Sequence, residues 1–173
     1  MEAIVLAGGF GTRLQSVVSE VPKSMAPVNG RPFLEYLLDQ LVTGGIGKII
    51  LAVGYKNESI ISHFGSEYRS IPIEYSVENE PLGTGGAIRL ALWKLQGPVS
   101  LVLNGDSFLQ MDYREMYSRH MQKNADITLA LRKVKDAGRY GSVTMNRSGR
   151  ITGFAEKNDL ALPGLINGGV YFI

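Results

Sequence analysis

Cysteine is absent from the chain, which excludes disulfides, thiolate metal sites and cysteine nucleophiles, and fits a reducing cytoplasm. Neither sign of charge is in excess: 18 Lys and Arg stand against 16 Asp and Glu, and a net charge of +2 is too small for nucleic-acid binding by bulk electrostatics. Any anion site must therefore be local. No apolar run is long enough to span a bilayer, and the N-terminus has neither the basic flank nor the apolar segment of a signal peptide. The expectation is a cytoplasmic chain with no membrane and no nucleic-acid partner. Histidine is scarce, and His63 and His120 fall on polar helical stretches where surface placement outweighs catalysis.

What is present is an ordinary globular composition, 45% apolar and 20% charged over 173 residues, enough to bury one domain core. The stretch that organises it is Leu6-Ala7-Gly8-Gly9-Phe10-Gly11-Thr12-Arg13-Leu14, directly after an apolar, strand-like run at residues 2–7. Closely spaced glycines let the backbone turn sharply and present N–H groups to an anion with no Cβ in the way, and Arg13 adds a fixed positive fork. An ordinary strand-to-helix turn has the same glycine spacing, so the rest of the chain must decide between the two.

Pro22-Lys23-Ser24-Met25-Ala26-Pro27 holds a lone lysine between prolines, which forces a stiff loop there and suits Lys23 to a phosphate. Residues 32–42 carry apolar side chains at helical spacing and end before Gly44-Gly45. Residues 48–53 form a continuous apolar strand of the kind buried on both faces of a parallel sheet. Residues 57–68 read as a polar helix, 71–77 as a strand, 87–95 as a helix and 98–103 as a strand, so β and α alternate. A second glycine-rich loop, from Glu78 through Gly83-Thr84-Gly85-Gly86, falls between a strand and a helix, and Asp106 falls just past a strand end. Ligands in open α/β sheets bind beyond the carboxyl ends of the strands, which puts both glycine loops and Asp106 on one rim. There Asp106 is the natural metal ligand, although an Asp at a strand end also serves as a turn former.

Residues 112–123 read as a helix and 125–133 as a β-rich segment. Short two-faced strands follow at 141–145, 150–156 and 167–173, with Asn146-Arg147-Ser148-Gly149 as a turn. These antiparallel or mixed strands are expected to extend the sheet and build a second pocket, lined by Gly141, Gly168, Gly169 and the Glu156-Lys157 pair, which read equally well as a solvated ion pair. Ending on Val170-Tyr171-Phe172-Ile173 reads as an exposed apolar edge, and hence as a fragment.

Taken together, LAGGFGTRL (6–14), PKSMAPV (22–28), GRPFL (30–34), PLGTGGA (81–87), NGD (104–106), Glu156-Lys157 and NGG (167–169) resemble the sugar-1-phosphate nucleotidyltransferase family, in its order and over essentially the whole chain. The resemblance implies an α/β fold, a Rossmann-like three-layer αβα sandwich with a mostly parallel mixed central sheet, as in glycosyltransferase-A-like proteins. Residues 1–110 would be the nucleotide-binding half and 111–173 the sugar-phosphate half of a single domain truncated at its C-terminus. The implied reaction is attack of a sugar 1-phosphate on the α-phosphorus of a nucleoside triphosphate, with Mg²⁺, giving NDP-sugar and pyrophosphate. Within the family the chain is most similar to heptose 1-phosphate guanylyltransferases, with mannose-1-phosphate guanylyltransferases and glucose-1-phosphate uridylyl- and thymidylyltransferases as alternatives.

By that resemblance Leu6, Ala7, Gly8, Gly9, Gly11 and Thr12 wrap the nucleotide, Gly83 and Thr84 face it, Arg13 holds the β and γ phosphates, and Lys23 bridges both substrates. Asp106 binds Mg²⁺, and Gly141, Glu156, Lys157 and Asn167 hold the sugar phosphate. Glu78 falls where relatives read the base, and a carboxylate matches the donors of guanine, N1–H and the N2 amino group, which makes GTP the first choice. Two departures stand out: Ser24 replaces a proline common in relatives, and a second metal carboxylate, expected from a segment after residue 173, is missing. A homo-oligomer is compatible with the resemblance. Rival readings are a non-catalytic nucleotide- or sugar-sensing domain, disfavoured by the joint presence of Arg13, Lys23 and Asp106, and a dinucleotide-binding dehydrogenase. The dehydrogenase is disfavoured because the strand at 48–53 ends in Val53-Gly54 without an acid.

Overall fold

The computed structural model describes residues 1–9, 21–158 and 162–173. Strand β1 (Glu2–Leu6) is followed by a 3-10 turn (Lys23–Met25) and a small hairpin of β2 (Pro27–Val28) and β3 (Arg31–Pro32). Helix α1 (Phe33–Thr43) then puts Leu34, Leu37, Leu38 and Leu41 on one face, each fully buried. Burial of that size stabilises by about 1.5–3 kcal/mol per side chain. The chain continues through β4 (Lys48–Val53), α2 (Asn57–Phe64), β5 (Glu67–Tyr68), β6 (Ile71–Val77), α3 (Gly83–Leu92), β7 (Ser100–Asn104) and α4 (Tyr113–Lys123). Asp112 caps α4 by accepting from the backbone N–H groups of Arg114 and Glu115. The last part is β8 (Thr128–Val134), β9 (Ser142–Met145), β10 (Ile151–Ala155) and β11 (Gly164–Phe172).

The sheet order is β10-β9-β11-β7-β1-β4-β6-β5, with β8 also on β11. Neighbours β7, β1, β4 and β6 are parallel, and the strands from β8 onward join antiparallel. Alternate residues of the central strands point to opposite faces, so two cores result. Val5, Leu51, Leu101 and Phe172 pack with α1, α2 and α4, while Ile4, Ile50 and Val102 pack against Ala87 and Ala91 of α3. Helices on both faces of a mixed sheet with a parallel centre make the α/β sandwich expected from the sequence.

Four local expectations needed correction. His120 is not at the surface: it is 4% exposed and hydrogen-bonds the Thr128 hydroxyl at 2.9 Å. The helix read at 57–68 stops at Phe64, because Gly65 takes φ +61, and Glu67–Tyr68 pairs with β6 instead. The second glycine loop is not all loop: α3 begins at Gly83, so Gly83, Thr84, Gly85 and Gly86 form its first turn. The apolar end of the chain is not an edge, since β11 is interior to the sheet and Val170 and Phe172 are buried between β7 and β8.

Candidate functional site

A cavity of about 580 Å³ opens at the carboxyl ends of β1, β6 and β7. Its floor is the end of β1, where Leu6, Ala7, Gly8 and Gly9 all line it. Gly8 is closely packed: a Cβ there would sit 3.1 Å from Gly54 N and 3.2 Å from the Glu78 carboxylate. The end of β7 supplies Asn104, Gly105 and Asp106, tied to β1 by the Gly105 N–H to Leu6 C=O bond of 2.8 Å. Pro81, Gly83, Thr84 and Ala87 form the opposite wall. The first turn of a helix leaves N–H groups without intrahelical partners, so this wall favours an electron-rich ligand.

Lys23 reaches across the cavity and donates to Asp106 Oδ2 at 2.6 Å, while the Ser107 hydroxyl donates to Oδ1 at 3.1 Å. The lysine is held by its 3-10 turn, closed by Met25 N–H to Pro22 C=O and by Ala26 N–H to Lys23 C=O. Behind the turn, Arg31 of β3 bonds Glu35 and Asp39 of α1, and His63 of α2 bonds Glu35 at 2.8 Å. The His63 hydrogen bond, reinforced by Arg31, holds the Glu35 carboxyl below the usual range against the opposing effect of burial. Burial works against Asp39 as well, yet its bonds from the Tyr68 hydroxyl and Arg31, with Arg69 beside them, lower it.

Glu78 is placed by its own N–H bonding to Val53 C=O, and its Oε2 accepts from Leu82 N–H at 3.0 Å. The carboxylate therefore shapes the approach to α3 as well as facing the cavity. Gly11, Thr12 and Arg13 lie outside the described residues. Sequence reading passed over Ser24, Pro81, Ala87, Asn104 and Gly105 as lining residues, although their neighbours Lys23, Gly83 and Asp106 marked the place.

None of the residues expected to hold the sugar phosphate lines this cavity. Gly141, at φ +82, lies so close to β10 that a Cβ would meet Ala155 C=O at 2.8 Å and Lys157 N at 3.8 Å, so Gly141 and Lys157 are neighbours. Lys157 lines a second cavity of about 420 Å³ with Asp136, Gly138, Arg139 and Asn158, while Glu156 is exposed and lines neither cavity. Asn167 spends its amide on β11: Oδ1 accepts from Gly169 N–H at 2.9 Å, and Nδ2 donates to the Tyr171 hydroxyl at 2.8 Å. These bonds shape a bulge that presses Gly168 against Leu109 and Gly169 against Asn104.

Among the described residues no group of three or more His, Asp or Glu could enclose a metal ion. Asp106 nonetheless fits a hard divalent cation that completes its shell from phosphate oxygens and water, because Mg²⁺ is commonly held by one or two carboxylates plus substrate phosphates. No helix of the described residues is long and apolar enough to cross a membrane.

Comparison with known proteins gives consistent matches. The family model described as "Nucleotidyl transferase" matches residues 2–173. The D-glycero-alpha-D-manno-heptose 1-phosphate guanylyltransferase of Aneurinibacillus thermoaerophilus is 49% identical over 171 residues, 99% of this chain and 74% of the relative. The enzyme of the same name from Campylobacter jejuni is 44% identical, over 100% of this chain and 76% of its own. The crystal structure of HddC from Yersinia pseudotuberculosis complexed with GMP-PN superposes with a TM-score of 0.88 at 34% identity, covering 99% of this chain and 76% of that one.

Proposed function

The chain belongs to the nucleotidyl transferase family, and from that premise we propose that it condenses GTP with a sugar 1-phosphate, D-glycero-α-D-manno-heptose 1-phosphate first, to give GDP-sugar and pyrophosphate. The observation that carries the reading is the Lys23–Asp106 pair set across a cavity floored by Gly8-Gly9 and walled by the start of α3. A cation and a carboxylate 2.6 Å apart in an open cleft are a charge set ready to exchange partners with phosphates and a metal.

In the proposed reaction an oxygen of the sugar phosphate forms a bond to the α-phosphorus, the bond from the α-phosphorus to the bridging oxygen breaks, and its electron pair leaves with pyrophosphate. Transfers of this kind are catalysed mainly by positioning and charge stabilisation, so no protein nucleophile is required. Lys23 leaves Asp106 and neutralises phosphate oxygens of both substrates. Gly8, Gly9 and Gly11 offer backbone N–H groups, Arg13 holds the β and γ phosphates, and Gly83 and Thr84 border the nucleoside. Family members use a divalent cation; we assign Mg²⁺ held by Asp106 and triphosphate oxygens, where it offsets phosphate charge.

Residues 1–110 serve the nucleotide and 111–173 the sugar phosphate, with Gly141 and Lys157 at the second cavity, Glu156 accepting from sugar hydroxyls, and Asn167 acting through the β11 bulge. Glu78 accepts from guanine while Leu82 N–H fixes its orientation. The test is pyrophosphate release with GTP, UTP, dTTP, CTP and ATP in parallel. GTP is expected to lead, and Glu78→Gln to narrow its lead by about tenfold or more, since hydrogen bonds to a charged group are worth roughly 1.5–3 kcal/mol. A clear UTP preference in the unmodified protein would overturn the base assignment.

A further inference from the structure

Buried polar groups are nearly always hydrogen-bonded, and one that is not calls for an explanation. Among the described residues five side-chain atoms are buried without a hydrogen-bond partner: Glu2 Oε1, Ser24 Oγ, Gln40 Oε1, Ser76 Oγ and Tyr113 Oη. Of these, Ser24 alone lines either of the two cavities described above, and it is the cavity containing Lys23 and Asp106. Ser24 is 3% exposed, packed between the lysine and buried Met25. The bonds that close its turn come from the N–H groups of Met25 and Ala26, so the hydroxyl plays no part in shaping the loop.

A hydroxyl rotates about one bond and can donate to an acceptor brought by a ligand. The ligand group at this position must be one that the adjacent ammonium of Lys23 also attracts, which makes it an anion. We propose that Ser24 is a binding residue of the site: its Oγ–H donates to a phosphate oxygen held beside Lys23. This rests on the reading of the cavity as a phosphate-ligand site. It adds a donor that the glycine cradle and the two cations do not supply. A proline at this position would carry neither the hydroxyl nor a backbone N–H.

The experiment compares Ser24→Ala with Ser76→Ala, whose hydroxyl is equally buried and unpartnered but outside both cavities. Melting is followed without ligand, and calorimetry measures binding of GTP with Mg²⁺, of guanosine, and of α-D-mannose 1-phosphate. The expected result is an unchanged or higher melting temperature for both variants. Ser24→Ala alone weakens GTP, the sugar phosphate or both by about tenfold, with guanosine unaffected. The GTP and sugar-phosphate arms show which phosphate the hydroxyl meets. Unchanged affinity for both phosphates, equal loss of guanosine and GTP, or a drop in ligand-free melting would overturn the proposal. If the unmodified protein binds neither phosphate ligand, it is the reading of the cavity that fails.

Discussion

Replacing Gly105 by alanine tests whether the floor of the cavity depends on the close approach of β1 and β7. An added Cβ would sit 2.7 Å from Leu6 C=O and 3.2 Å from both Ala7 Cα and the Leu6 carbonyl carbon. All three are backbone atoms, so no side-chain rotation relieves the clash. The strand ends must part by several tenths of an ångström, straining the Gly105 N–H to Leu6 C=O bond. Overpacking costs about 1–3 kcal/mol and a weakened hydrogen bond about 1 more. For a domain of this size that lowers the melting temperature by roughly 4–16 °C. Activity is expected to fall further than stability, because Asp106 is the next residue and a 1 Å misplacement costs on the order of a hundredfold. Gly9→Ala is the control in the melt, since a Cβ there meets no atom of the described residues within 4 Å. Scanning calorimetry and pyrophosphate release read the two effects. An unshifted melting temperature for Gly105→Ala, or an equal shift for Gly9→Ala, would refute the packing argument.

Lys23→Met and Asp106→Asn should each change unfolding free energy by less than about 1 kcal/mol, because the pair is 36% and 43% exposed, yet lower kcat/KM by about a hundredfold or more; chemical denaturation beside steady-state kinetics separates the two. Asn167→Ala should cost about 1–2 kcal/mol by releasing Gly169 N–H and the Tyr171 hydroxyl, and urea denaturation measures it. Both Glu35 and Asp39 are held below their ordinary values, so their contribution is present at neutral pH and is lost as pH falls from about 4 through their lowered values. In melts at descending pH, Glu35→Gln with Asp39→Asn should flatten that acid limb; a limb as steep as the unmodified protein's would contradict it.

Strands β4, β6 and β7 and helices α1 and α4 were legible because burial on one or both faces imposes continuous or periodic apolar patterns. The start of α3 was not, since Gly83, Gly85 and Gly86 are poor helix formers and only tertiary placement against β1 and β4 makes them helical. The end of α2 was missed for a related reason: a positive φ at Gly65 is permitted by its sequence but not demanded. The interior position of β11 also escaped, because Val170 to Ile173 looks alike at an edge and between two partners. In the site, the chemistry of Lys23 and Asp106 could be read from residue type, and their 2.6 Å pairing depends on the fold. Asn167 shows the opposite limit: an amide offers two bonds, and both go to its own strand.

The most direct measurement is the mass of the product formed when the 173-residue chain, in excess over substrate, is incubated with GTP, a divalent cation and D-glycero-α-D-manno-heptose 1-phosphate. GDP-heptose and an equal amount of pyrophosphate are expected, both forming more slowly, by about a hundredfold or more, when Lys23→Met replaces the protein. Bound GTP with no nucleotide-sugar formed, or product that persists unchanged in Lys23→Met, would contradict the proposed reaction.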